Sequence, residues 1–154
     1  MRIAILGNGG FGTAIALTLE RAGHAAAIWG HDPIYTAEVA ATRRNPRYLD
    51  EVALPDSIRV TSDGAAVLER CEAVLVAVPT QHVRATLTGL ARHVPGDVPV
   101  VSLCKGIEQE SGRRPSEVLA EVVGRPARVF ALSGPSHAEE VARGLPTTVV
   151  IAGP

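Results

Sequence analysis

The sequence predicts an α/β protein built on a doubly wound, mostly parallel sheet with helices on both faces. Three observations predict it. Short runs of branched apolar residues alternate with helical patterns along the whole chain. One run, Ala73 to Val78, is apolar without a break, as in strands buried on both faces of a parallel sheet. The first run passes through a cluster of glycines directly into a helical pattern, which is the opening of a strand–turn–helix unit.

Arg2 to Leu6 is the first strand. Gly7, Gly9 and Gly12 follow at the spacing G-x-G-x-x-G, and Thr13 to Ala22 reads as a helix with Ala14, Leu17 and Ala22 among its apolar positions. In this context the motif points to a dinucleotide phosphate site. Gly7 allows the tight turn, Gly9 admits a pyrophosphate close to backbone N–H groups, and Gly12 lets helix and strand pack closely. The helix N-terminus adds unpaired N–H donors and the positive end of its dipole. A tight glycine turn without a ligand is the bland alternative. Residues 1–154 then form one dinucleotide-binding Rossmann domain.

Gly23-His24 stops the first helix, and Ala25 to Trp29 is the second strand, ending in Gly30-His31-Asp32-Pro33. An NAD site usually holds the adenosine ribose hydroxyls with an acid at the end of this strand. Here that place falls at Gly30 or His31, and Asp32 comes one or two residues late. His31 tolerates a 2′-phosphate, so use of both NAD and NADP is expected; equally, His31 reads as a surface turn residue. Tyr35 to Arg44 is a helix. Asn45 to Asp56, with Pro46 and Pro55, reads as a polar connection. Ile58 to Thr61 is a short strand, and Ser62 or Asp63 caps a helix ending near Arg70.

Ala73 to Val78 ends at Pro79-Thr80, and a helix runs from Gln81 to about His93. Strand ends on this edge face the ligand crevice, which places Pro79 and Thr80 at the cofactor channel. A strand-breaking Pro79 and a helix-capping Thr80 explain the same residues without a ligand. Pro99 to Leu103 delivers Cys104-Lys105-Gly106-Ile107. Taken alone, Lys105 reads first as a solvated lysine, although a compact ammonium at a strand end suits a phosphate or a carbonyl oxygen. Pro115 to Val123 is a helix with its proline in the first turn. Arg128 to Leu132 is a strand followed by Ser133-Gly134-Pro135-Ser136-His137-Ala138-Glu139-Glu140-Val141, with Ser136 the candidate cap of a short helix. Thr147 to Ile151 is the last strand.

Composition narrows the partners. The chain has 154 residues, a formal charge of −1, two Tyr, two Phe and one Trp, and no basic stripe, which excludes nucleic acid as the main partner. No apolar run approaches the ~20 residues of a membrane span. The N-terminal glycines fit a first strand and turn better than a signal peptide. Cys71 and Cys104 read as free buried thiols, and two thiols in a domain of this size suit a reducing, cytoplasmic compartment. No metal-ligand cluster is expected.

Five pieces together resemble the bacterial-type NAD(P)-dependent glycerol-3-phosphate dehydrogenases: GNGGFGTA (Gly7 to Ala14), WGHDP (Trp29 to Pro33), VAVPT (Val76 to Thr80), CKGIE (Cys104 to Glu108) and SGPSHAEEVARGLPT (Ser133 to Thr147). The last piece is the most specific, whereas the glycine motif is shared with many dehydrogenases. The resemblance runs the length of the chain. It implies reduction of dihydroxyacetone phosphate to sn-glycerol 3-phosphate, the backbone of phospholipids, with NADP or NAD as cofactor. It also implies that Gly10, Phe11, His31 and Ala138 contact the cofactor beside Gly7, Gly9, Gly12 and Pro79. Lys105 would touch cofactor and substrate, and Gly134 and Ser136 would lie on the substrate side. Gly10 departs from a common Ser, and Ser136 from a common Thr. The family continues into a helical domain that carries the catalytic lysine, the general acid–base. That domain is expected beyond Pro154, and no catalytic residue is expected within this chain. The expected partners are the small-molecule substrate, the chain's own C-terminal domain and a second copy in a homodimer, with no nucleic acid and no membrane. A non-catalytic NAD(P)-binding module and the cofactor domain of a related β-hydroxyacid-type dehydrogenase are the competing readings.

Overall fold

A computed structural model describes residues 1–154, the side chain at position 127 excepted. Strands β1 (Arg2–Leu6), β2 (Ala25–Trp29), β5 (Arg59–Thr61), β6 (Ala73–Val76), β7 (Val100–Ser102), β8 (Val129–Ser133) and β9 (Val150–Ala152) form one sheet among the described residues. Their spatial order is β5-β2-β1-β6-β7-β8-β9. Every pair is parallel except β8–β9 at the edge. The helices are α1 (Gly10–Arg21), α2 (Pro33–Thr42), α3 (Gly64–Leu68), α4 (Val83–Leu90), α5 (Pro115–Val123) and α6 (Ala138–Ala142). Between α2 and β5 the chain makes a small antiparallel hairpin of β3 (Arg44–Asn45) and β4 (Leu49–Ala53). This is the doubly wound, mostly parallel architecture that the alternation of patterns predicts.

Period-two alternation along β1 divides the core between the faces of the sheet. Ala4 and Leu6 join Val74, Val76 and Val100 against residues of α3, α4 and α5. Ile5 joins Ala26 and Ile28 on the opposite face, against α1, α2 and α6. Both faces are covered by helices, so the strand sequences are apolar at nearly every position. The winding changes direction between β1 and β6: β2 and β5 lie on one side of β1, and β6 to β9 on the other. At such a switch point the carboxyl ends of adjacent strands leave a crevice.

Strands β1 and β2 and helix α5 fall where the sequence patterns place them. Gly23 ends α1 with φ +79°, donating to Glu20, while the N–H of His24 donates to Leu19. Helix α1 starts at Gly10 rather than Thr13, with Gly9 as N-cap. Glycine is a poor helix former, but packing of α1 on the sheet outweighs that preference in the first turn. The Asn45–Asp56 segment is not an unstructured connection: Arg44 pairs with Ala53 and Asn45 with Leu49 across the hairpin. Asp63 caps α3 by accepting from Ala66, but α3 stops at Leu68, short of Arg70. Ser136 does not cap α6; His137 is the N-cap residue and makes no side-chain cap bond. Among the described residues no helix is long and apolar enough to cross a membrane.

Candidate functional site

The glycine turn sits at the switch point. Gly7 leaves β1 with φ +125°, and its N–H donates to the Trp29 carbonyl of β2 at 2.9 Å. A Cβ at Gly7 would lie 2.5 Å from the Ala77 carbonyl oxygen beyond β6, and one at Gly12 would lie 2.1 Å from the Gly7 carbonyl oxygen. Both glycines are therefore fixed by close backbone packing. Gly9 differs: a Cβ there would meet nothing within 4 Å. The first hydrogen bond of α1 runs from Thr13 N–H to Gly9 C=O at 3.0 Å, so the amides of Gly10, Phe11 and Gly12 precede it. Gly9 thus borders open space at the N-terminus of α1, where an anion is favoured.

Beside this turn lies a cleft of about 360 Å³. Gly7, Asn8, Gly9 and His31 line one side, Ala77 to Pro79 its base, and His82, Ala85 and Thr86 the α4 side, with Tyr48 contributed by the hairpin. Its walls are apolar with a few polar groups, which suits a ring system and its sugar.

A buried polar network holds the hairpin against the turn. The Asn45 amide donates to Asn8 C=O and to Thr13 Oγ1, both at 2.8 Å, and its oxygen accepts from the Tyr35 hydroxyl. Asn8 donates to Thr36 Oγ1 at 3.3 Å, and Thr36 donates to Asp32 C=O at 2.6 Å. Asn45, Thr13, Thr36 and Tyr35 are each 1 or 2% exposed, so every one of these polar groups needs its partner. Burial raises the Tyr35 phenol above its ordinary pKa. The hairpin also accounts for Gly10, since a Cβ there would approach the Tyr48 carbonyl oxygen to 2.7 Å.

A second cluster forms at the carboxyl ends of β7 and β8. Lys105 Nζ donates to Gly134 C=O at 3.3 Å, and both the N–H and the hydroxyl of Ser136 reach the same carbonyl, at 2.9 and 3.4 Å. Gly134 has no room for a side chain, because a Cβ would meet the Thr148 carbonyl oxygen at 2.6 Å. Thr80, expected either as a cap or at the channel, is not an N-cap residue; its hydroxyl donates to the Lys105 carbonyl at 2.6 Å. Gln81 accepts from Gln109 N–H at 3.0 Å and donates to Ile107 C=O at 2.9 Å. Arg84 on α4 binds both oxygens of the buried Glu108 carboxylate, at 3.0 and 2.9 Å, and also pairs with Glu121. The loop that carries Lys105 is thus fastened to α4 through Arg84 and to the turn before α4 through Thr80 and Gln81. The Arg84 guanidinium, with the Ser111 hydroxyl, holds the Glu108 carboxyl below its ordinary pKa. The Cys104 thiol lies 3.3 and 3.1 Å from the Val76 and Val78 carbonyls, and burial pushes its pKa up to about 11.

Of the residues singled out in the sequence, Gly7, Gly9, His31 and Pro79 line the cleft together. Gly12 is buried beneath Gly7. Gly10 faces Ala138, whose methyl would stand 3.4 Å from a Cβ at position 10, and Phe11 and Ala138 pack on the same core. Lys105, Gly134 and Ser136 meet one another at the next strand ends along the same edge. Sequence reasoning missed Asn8, Tyr48 and the α4 residues of the cleft, and it missed Asn45, Arg84 and Glu108. For Asn45 and Tyr48 the signal was their place at or within a proline-flanked segment, which reads as solvent-facing unless its hydrogen bonds are known.

The model of the family described as NAD-dependent glycerol-3-phosphate dehydrogenase N-terminus matches residues 2–154. The chain belongs to this family. A glycerol-3-phosphate dehydrogenase [NAD(P)+] of Brucella canis is 44% identical over 151 residues, which are 98% of this chain and 46% of that protein. A protein of the same description from Pelodictyon phaeoclathratiforme is 44% identical over 152 residues, 97% of this chain and 46% of its own length. The crystal structure of glycerol-3-phosphate dehydrogenase from Coxiella burnetii superposes with a TM-score of 0.88 at 34% identity, covering 97% of this chain and 45% of that one. The chain therefore spans about half the length of the family members it matches.

Proposed function

We propose that the chain binds NADP or NAD across the carboxyl ends of β1 and β6, as the cofactor-binding half of an enzyme that reduces dihydroxyacetone phosphate to sn-glycerol 3-phosphate. The observation that carries this reading is the open glycine turn at Gly9, continuous along one sheet edge with the Lys105–Gly134–Ser136 cluster. Gly10, Phe11 and Gly12 offer their amides to the pyrophosphate, and His31, Tyr48 and Pro79 enclose the adenosine end of the cleft. Ala138 closes the far side of the turn beside Gly10. The bound cofactor supplies the hydride for the substrate's carbonyl carbon.

Lys105 lies between the two halves of the site. Its ammonium interacts with Gly134 C=O and has further N–H donors for a phosphate or carbonyl oxygen. Ser136 and Gly134 border the substrate side. An alkoxide forming on the substrate needs a proton donor within hydrogen-bond reach. In this reading Lys105 orients the substrate, and the donor comes from sequence outside residues 1–154, consistent with relatives about twice as long. A cytoplasmic setting fits the two unpaired thiols.

Calorimetry with NADPH and NADH tests the binding half of the proposal. We expect saturable binding of both, with affinities within about tenfold of each other. Turnover of dihydroxyacetone phosphate tests the rest: negligible with residues 1–154, present in the protein that includes the downstream sequence. Absence of dinucleotide binding would overturn the proposal.

A further inference from the structure

The end of β2 is where a dinucleotide site distinguishes a ribose hydroxyl from a ribose phosphate. Asp32 is the acid there, and its carboxylate is already engaged. Oδ1 caps α2, accepting from Ile34 N–H at 3.0 Å and Tyr35 N–H at 3.1 Å, and Oδ2 faces Arg47 Nη1 at 3.6 Å. The Tyr35 amide bond is the main cause of the low pKa of this carboxyl.

Arg47 comes from the opposite direction, in the turn between β3 and β4. Its guanidinium lies 3.9 Å over the ring of Tyr35, and its own N–H donates to the Tyr35 hydroxyl at 3.1 Å. A buried ring thus holds an Arg side chain that is itself 56% exposed. Among the described residues the guanidinium donates no hydrogen bond; the Asp32 contact is a single, long ionic approach. The next residue in the chain, Tyr48, lines the cleft, as does His31, the residue before Asp32. The Asp32–Arg47 pair therefore borders the cleft at its β2 end.

We propose that Arg47 is the residue that recognises a phosphate on the adenosine 2′ position, with Asp32 as its opposing charge. A planar guanidinium presents paired N–H groups that match phosphate oxygens, and stacking on Tyr35 fixes it before the ligand arrives. The carboxylate of Asp32, turned into the helix cap, is withdrawn from the ribose hydroxyls that it would hold in an NAD-selective site. It also repels a 2′-phosphate, which limits the preference that Arg47 can confer. This inference rests on the proposed dinucleotide site and assigns its selectivity to a residue of the inserted hairpin.

The test is calorimetric binding of NADPH, NADH and adenosine 2′,5′-bisphosphate to the protein and to three variants, each checked for an unchanged fold by circular dichroism. Arg47→Gln is expected to weaken NADPH and the bisphosphate at least about tenfold while leaving NADH nearly unchanged. Arg47→Lys, which keeps the charge but loses the fork, is expected to fall between. Asp32→Asn keeps an N-cap acceptor and removes the repelling charge, so NADPH binding is expected to tighten severalfold with NADH unaffected. An NADPH-to-NADH ratio indifferent to Arg47, or equal loss of both in Arg47→Gln, overturns the inference and leaves the dinucleotide site standing. Weaker NADH binding in Asp32→Asn also overturns it, because Asp32 would then hold the ribose. Failure of the unmodified protein to bind either dinucleotide overturns the site itself.

Discussion

The glycines of the turn do different physical work, although the motif treats them alike. Gly7 and Gly12 are held by backbone carbonyls at 2.5 and 2.1 Å from where a Cβ would be, so they belong to folding. Gly9 has empty space in front of it, so a side chain there would fill the space proposed for the pyrophosphate without disturbing the fold. Two outcomes follow from this division. Gly9→Val should fold normally and bind cofactor more than tenfold more weakly, a loss above ~1.4 kcal/mol. Gly12→Ala should lower stability by about 1–3 kcal/mol through overpacking, measured by urea denaturation. Unchanged affinity in a folded Gly9→Val protein would show that the pyrophosphate does not approach this turn.

At the scale of elements, the hairpin and the Lys105 loop are placed by buried polar contacts. Asn45 serves the hairpin: both its donors and its acceptor are engaged with Asn8, Thr13 and Tyr35. Asn45→Ala leaves those buried groups without partners and should destabilise the protein by about 1–3 kcal/mol. It should also weaken cofactor binding, since Tyr48 and Arg47 ride on the same hairpin; a stability unchanged in denaturation would contradict this. Glu108 serves the loop. Its carboxyl has a lowered pKa in the folded protein, chiefly through Arg84. A depressed carboxyl contributes stability that is present above the unfolded-chain pKa, about 4.3, and lost as pH falls through the folded value. Glu108→Gln should therefore lower the unfolding temperature at neutral pH, with the gap closing below about pH 4. A gap of constant size from neutral to acid pH would rule out the ion pair as its source.

For the whole molecule, the parallel strands put all the candidate groups on one edge because every one of β1, β2, β6, β7 and β8 runs in the same direction. The glycine turn, the hairpin and the Lys105 cluster come from separate parts of the chain, yet each sits at a carboxyl strand end. On the proposed function, one edge alone would leave the reacting centre facing water, and water weakens the electrostatic contacts that phosphate binding and proton transfer need. That is the reason to expect binding without turnover from residues 1–154. In the longer protein, Lys105→Ala should reduce turnover of dihydroxyacetone phosphate by roughly tenfold or more, as loss of a donor at a reacting oxygen does. Turnover by residues 1–154 near that of the longer protein would make Lys105 or His137 the candidate acid in place of a group outside residues 1–154.

By itself the sequence determined the architecture, the positions of β1, β2 and α5, and the gathering of Gly7, Gly9, His31 and Pro79 near one crevice. These depend on local signals: apolar periodicity, glycines at a fixed spacing, and proline at a helix start. It also determined the family, through motifs whose spacing survives without coordinates. Tertiary structure alone decided which glycine faces open space, that Thr80 supports Lys105 rather than capping a helix, and that Ser136 turns to Gly134 rather than to α6. It alone showed that residues 44–53 are a hairpin closing over the turn, with Arg47 seated on Tyr35 beside Asp32. The physical reason is the range of the forces involved. Apolar patterning repeats within one turn or one strand and is written along the chain. A buried hydrogen bond or ion pair joins residues far apart in sequence, and whether a polar side chain faces water or a partner is settled only when the elements pack.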